Sequence, residues 1–354
     1  MEEQETLNQQ QEDRKNVRQI KAFLKKWGWL IAIGLAVIAF LFLFGPILSY
    51  KTRVYQGETK IDTFYDVNLI SYFTSGFALN WTMYVTLGFL LLGIGSAVVS
   101  KWKKQFGVLS TLFFLLTLCF LMLAKAFFEA EENGVENLHG VSIAWGDALA
   151  IAFMTLASGV SLSQSYEEGE FTVRDIAEDG ILIAMAFGLN FLKIPVGSTG
   201  GSINFQMLPL MLIALRRGPF HGFICGGLVY GLLTCLTDGY GFACFPFDYL
   251  IGFGSAGIVG FFCPFIFGKE QTNYNVKGLL FLALAGVLST LVRYIGSNVS
   301  SIVVYGLDLK GALAYNAFYI PLSGLISFGA IMALYGPLAT VNRLFPAKRN
   351  QIKK

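Results

Sequence analysis

GVLSTLFFLLTLCFLMLA, residues 107–124, runs without a single charge between Lys101, Lys103 and Lys104 on one side and Lys125 on the other. A helix needs about 20 apolar residues to cross a bilayer core. In lipid the backbone must satisfy its own hydrogen bonds, so such a run must be helical. The pattern then repeats along the chain. Apolar runs near residues 28–49, 81–99, 107–128 and 143–163 predict four spans. Runs near 176–193, 203–215, 219–236, 246–267, 277–304 and 312–340 predict six more. Across 354 residues, 55% are hydrophobic and 14% charged, against about a quarter charged in soluble domains. The fold class is therefore an all-α integral membrane protein of about ten transmembrane helices.

Lysines and arginines set the orientation, because basic loops stay on the cytoplasmic side. Lys21, Lys25 and Lys26 precede the first span, and Lys101, Lys103 and Lys104 follow the second. Arg216 and Arg217 separate spans six and seven, and Lys348, Arg349, Lys353 and Lys354 close the chain. Ten spans put all four clusters on one side, with both termini cytoplasmic, and turn the acidic loop Glu129, Glu131, Glu132 and Glu136 outward. Lys51, Arg53, Lys60 and Lys310 then lie outside as minor exceptions. The net charge of +3 belongs to these flanks, so the bilayer is a partner and nucleic acid is not. A polar joint from Gln164 to Arg174 divides the chain. The expected regions are a polar tail (1–26), a four-span module (27–164), a six-span module (165–345) and a basic tail (346–354).

The four-span module carries few internal polar groups. Lys125 and Asp147 stand near span ends, where interfacial exposure accounts for them. The six-span module is richer. Asp238, Tyr240, Phe242, Phe245, Phe247, Asp248 and Tyr249 crowd together, and helical spacing puts Phe245, Asp248, Tyr249 and Gly252 on one face. Two readings fit: a carboxylate framed by rings that binds a flat cation, or a hydrated carboxylate in an aromatic belt. On the ninth span Tyr294, Asn298, Ser301 and Tyr305 form a stripe beside Arg293 and Ser297. Such a seam faces protein or a cavity, either as a binding wall or as glue between helices. Tyr315, Asn316, Phe318 and Tyr319 open the last span before Pro321, at the rim of the same pocket or in the interfacial belt. Gly180, Ala184 and Gly188 make a small-residue track for close helix contact, with a partner or within the bundle.

Several chemistries are missing from the sequence. There is no phosphate-binding GxxxxGK[ST], no GxSxG and no HExxH. The five cysteines, at 119, 225, 235, 244 and 263, form no CxxC pair, so no zinc site, disulfide framework or cofactor is expected. His221 reads as a helix-start residue.

Five segments carry a family resemblance: Phe171–Glu178 (FTVRDIAE), Met207–Gly218 (MLPLMLIALRRG), Gly222–Gly231 (GFICGGLVYG), Phe247–Leu250 (FDYL) and Val292–Tyr294 (VRY). In this order and spacing, residues from about 172 to the C-terminus resemble the substrate-binding (S) subunit of energy-coupling factor (ECF) transporters, of the thiamine-specific kind. The resemblance implies a plasma-membrane vitamin receptor that performs no enzymatic step. Its implied partners are a transmembrane coupling subunit and two ATPases. Asp248-Tyr249 matches the family's acidic-Tyr pair with Asp for Glu, and Arg293-Tyr294 its basic-Tyr pair with Arg for Lys. Ser297 stands where the family has His, and Tyr305 where it has Trp. Asn316 matches a family Asn, and no Trp occurs in Lys193–Ser202. The implied substrate-binding set is Asp248, Tyr249, Arg293, Tyr294, Ser297, Asn298, Tyr305, Tyr315 and Asn316, with Gly180, Ala184 and Gly188 docking the coupling subunit. Thiamine or a thiamine-like cationic heterocycle is the expected ligand. A flavin or pyrimidine ligand, or a sensor or structural partner without transport, are the rival readings.

Overall fold

The computed structural model describes residues 2–56, 59–74, 81–132, 138–165, 172–196, 201–268 and 275–345. Glu136, the joint at 166–171 with Phe171, and the basic tail from residue 346 lie outside the described residues.

The first half runs α1 (Glu2–Phe42), β1 (Leu48–Gln56), β2 (Thr59–Val67), α2 (Leu69–Thr74), α3 (Trp81–Ser100), α4 (Phe106–Glu132), β3 (Leu138–Ile143) and α5 (Trp145–Gln164). The expected first span overshoots. Its helix ends at Phe42, because Pro46 offers no N–H to continue the ladder, and the chain turns into strand β1. The small antiparallel sheet β2-β1-β3 had no counterpart among the sequence expectations. α4, the segment quoted first, is the most enclosed helix of this half. Two of its hydroxyls reach neighbouring helices: Ser110 donates to the Gly93 carbonyl at 2.9 Å, and Thr111 to the Ser158 carbonyl at 3.1 Å. Interhelical bonds of this kind hold helices where lipid supplies no hydrophobic drive. Asp147 is fully buried, not interfacial, and neither carboxylate oxygen has a partner among the described residues.

The second half runs α6 (Val173–Phe191), β4 (Ile194–Val196), β5 (Gly201–Ile203), α7 (Met207–Arg217), α8 (Pro219–Asp238), α9 (Phe242–Ile266), α10 (Val276–Val303), α11 (Leu309–Ala333) and α12 (Tyr335–Leu344). The long last span expected from sequence breaks at Leu334, where the Pro337 ring would meet the carbonyl four residues back. Eight helices among the described residues are long and apolar enough to cross a membrane. Of the ten expected, α6 falls outside that set because Arg174, Asp175, Glu178 and Asp179 occupy its first turns. α7 falls outside because 11 residues span only about 16 Å of a ~30 Å core. Large apolar side chains such as Leu91, Ile181, Phe191 and Val276 stay exposed, the outward face a bilayer requires. The protein is a multi-span α-helical membrane protein.

The two halves share one core. Phe106 at the start of α4 meets Phe261 of α9 edge-on at 6.0 Å. Buried residues of α1, α4 and α5 belong to the same apolar cluster as Ile251, Ile258, Val292 and Val299.

Candidate functional site

α8 and α9 each contain a π-helical stretch, Ile224–Tyr230 and Phe245–Ile251. Such bulges are frequent at functional sites, because the extra residue re-aims side chains. Two α8 glycines allow the helices to touch. A Cβ on Gly226 would sit 2.5 Å from the Phe253 carbonyl oxygen, and one on Gly227 2.6 Å from that of Leu250. The π-stretch of α9 carries Asp248 and Tyr249.

These residues line a cavity of about 730 Å³, open mouth included, at one end of the α6–α11 bundle. Of the residues expected from sequence, Asp248, Tyr249, Arg293, Ser297, Tyr305 and Tyr315 are on its wall. Asp248, half-buried, lies against Ser297 and Ser300 of α10. Arg293 is 7% exposed, its guanidinium lies over the Phe253 ring at 5.1 Å, and its Nη1 has no hydrogen-bond partner among the described residues. A buried donor without a partner is costly; the Arg293 side chain borders the cavity, with Nη1 itself shut off from solvent.

Asn298, Asn316 and Tyr294 are placed behind that wall. Asn316 donates to Asn298 Oδ1 at 3.2 Å and to Ser301 Oγ at 2.9 Å, and the Tyr319 hydroxyl donates to Asn316 Oδ1 at 2.9 Å. Ser301 and Tyr319 are wall residues, so the asparagines position them. The Tyr294 hydroxyl donates to the Leu313 carbonyl at 2.9 Å, joining α10 to α11.

The β4–β5 hairpin closes one side. The Tyr315 hydroxyl receives the Gly201 amide at 2.6 Å and donates to the Val196 carbonyl at 3.2 Å. Gly201 is required there, since its Cβ would come within 2.5 Å of the Tyr315 oxygen. Lys193, at the hairpin's entrance, lies 3.9 Å from Asp238, which also receives the Tyr249 hydroxyl at 3.4 Å.

Asn190, Lys193, Gln206, Phe253 and Leu307 also line the cavity and were not foreseen. A polar Asn190 inside an apolar helix was a visible signal. Gln206 and Phe253 carried none, because their contacts cross between distant segments. Gly180, Ala184 and Gly188 lie together on the exposed face of α6, with open space beside both glycines.

A multi-span helical bundle with a polar, aromatic-walled cavity at one end defines a membrane protein built to hold a small molecule. Residues 176–341 match the family described as Thiamine transporter protein (Thia_YuaJ). Thiamine transporter ThiT of Bacillus subtilis is 32% identical over 146 residues, covering 37% of this chain and 71% of the relative. An uncharacterized protein in gap 3'region of Pyrococcus woesei is 30% identical over 141 residues, covering 40% of this chain and 86% of the relative. The chain belongs to the Thiamine transporter protein family. A solved structure, ThiT from Listeria monocytogenes, is 23% identical, with a TM-score of 0.43 over 49% of this chain and 97% of that one.

Proposed function

We propose that this protein is the substrate-capture subunit of an ECF-type uptake system, with thiamine as its ligand. The observation that carries the reading is the cavity, where the Asp248 carboxylate, the buried Arg293 guanidinium and five tyrosines share one wall. A thiazolium cation is held by Asp248 through charge and by Tyr249 and Tyr305 through their ring faces. The Arg293 guanidinium borders the ligand's polar arm, and Ser297 takes the place of the family histidine. Tyr315 latches the β4–β5 hairpin across the bound molecule, and Asn298 and Asn316 brace the wall behind it.

In this reading the cavity faces outward, both termini are cytoplasmic and the membrane is the plasma membrane. Residues 165–345 form the receptor, residues 27–164 a four-span module packed beside it, and the segments 1–26 and 346–354 cytoplasmic tails. The Gly180/Ala184/Gly188 face docks a coupling subunit, and two ATPases supply the energy for release, so the chain itself catalyses no reaction.

All five tryptophans, at 27, 29, 81, 102 and 145, precede residue 165, so tryptophan fluorescence is remote from the cavity and calorimetry is the better probe. Titration of thiamine into the purified protein is expected to give saturable one-site binding at micromolar or lower concentration, with riboflavin and a free aminopyrimidine giving none. Binding of either alternative in place of thiamine keeps the receptor and replaces its ligand. Binding of none of the three rejects the reading.

A further inference from the structure

Three side chains that the cavity does not use converge at the opposite end of the bundle. α6 runs from Asp175 and Asp179 toward the cavity residue Asn190, and α7 runs from the cavity residue Gln206 to Arg217. The far ends of these helices meet the start of α8. There Asp179, His221 and Cys225 lie 3%, 4% and 4% exposed. His221 and Cys225 are four residues apart on one helix and share a face, while Asp179 arrives from α6. The sequence therefore showed no metal motif.

The distances fit a metal. His221 Nδ1 is 3.0 Å from Asp179 Oδ2, Cys225 Sγ is 3.8 Å from the same oxygen, and the three ligand atoms all lie within 4.8 Å of one another. Tetrahedral zinc, with bonds of about 2.0–2.1 Å to nitrogen or oxygen and about 2.3 Å to sulfur, holds its ligand atoms roughly 3.3–3.7 Å apart. The triad already approximates one face of that tetrahedron. Arg217 Nε holds Asp179 Oδ1 at 2.9 Å, which orients the carboxylate as outer hydrogen bonds orient metal-binding carboxylates. Oδ2 is left turned toward His221 and Cys225.

Charge points the same way. Asp175, Glu178 and Asp179 bring three carboxylates against the two guanidiniums of Arg216 and Arg217, an excess of one negative charge in a largely buried network. A buried excess needs a cation. A mixed O, N and S donor set selects a borderline-soft divalent ion over magnesium or calcium.

We infer that Asp179, His221 and Cys225 form a binding site for one such ion, zinc first, that clamps α6 to α8 at the end of the bundle away from the cavity. Three protein ligands leave one corner of the tetrahedron for water.

The test uses full-length protein purified on a tag without histidines, stripped with a chelator and titrated with Co²⁺. The expected result is close to one cobalt per chain with a sulfur-to-cobalt charge-transfer band in the near ultraviolet. Cys225→Ser should abolish the band, His221→Gln should weaken binding at least tenfold, and Cys263→Ser should change neither. Zinc should raise the melting temperature of the wild type and not of Cys225→Ser. The absence of stoichiometric cobalt or of the sulfur band in the wild type overturns the site, whatever the folding of the variants. So does a band that survives Cys225→Ser.

Discussion

The two ends of the α6–α11 bundle handle buried charge in opposite ways. At the far end Arg217 donates to Asp175, to Glu178 at 2.5 Å and to Asp179 at 2.9 Å, while Arg216 reaches Glu178 and, at 3.0 Å, Asn342. Thr172 and Asp175 add a reciprocal cap at the start of α6, of the kind that satisfies helix-end amides. At the cavity end Arg293 keeps Nη1 without a partner, and no ion pair joins it to Asp248 among the described residues. Ion pairs shared between α6 and α7 hold those helices together. Charges held apart on a cavity wall are available to a ligand. The first arrangement stabilises the fold, and the second, in the proposed function, carries binding at some cost to it.

That contrast orders the expected effects of mutation. Arg217→Met takes from Asp175, Glu178 and Asp179 a shared guanidinium that is 6% exposed, and although Glu178 keeps Arg216 and Asp175 keeps Thr172, losing one partner of a buried pair costs about 3–5 kcal/mol. The expected outcome is a large fall in melting temperature and yield, read by thermal denaturation in detergent. Arg293→Met removes the guanidinium at the cavity wall, which is in no ion pair among the described residues. Thiamine affinity should fall on the order of tenfold, the weight of one hydrogen bond to a charged group, with little change in melting temperature, as calorimetry beside a thermal melt would show. A melting loss as large as that of Arg217→Met would erase the distinction between the two ends. Tyr315→Phe cuts both hydroxyl bonds to the β4–β5 hairpin, for a loss of about 1 kcal/mol or less in a half-exposed setting. The expected signature is faster ligand dissociation with near-normal association. Smallest of all, Gly180→Leu with Gly188→Leu should leave binding unchanged, because both positions open into free space. The double variant should instead fail to co-purify with a coupling subunit.

Legibility in the sequence followed contact range. The spans were readable because each is a local run, and Asp248-Tyr249 because a carboxylate beside rings is conspicuous in an apolar helix. Ser297 and Ser301 were readable through helical periodicity on α10, and Tyr305 through its continuation into the turn after Val303. That periodicity could not say how deep each residue sits, so Asn298 and Asn316 stood with the wall residues although they brace it from behind. Lys193 and Gln206 entered the cavity through pairings across distant segments, which no local pattern encodes. The triad of Asp179, His221 and Cys225 escaped for the same reason. The β2-β1-β3 sheet was hidden because its strands were read as polar loops flanking spans.

The most direct test of the central claim is thiamine calorimetry on wild type and Asp248→Asn, each with its melting temperature. The expected result is saturable wild-type binding that weakens on the order of 10–100-fold in Asp248→Asn, the weight of a charge-assisted contact, with the melting temperature kept or raised. Equal affinity in the two proteins would contradict it, and the cavity carboxylate would then not be what holds the ligand.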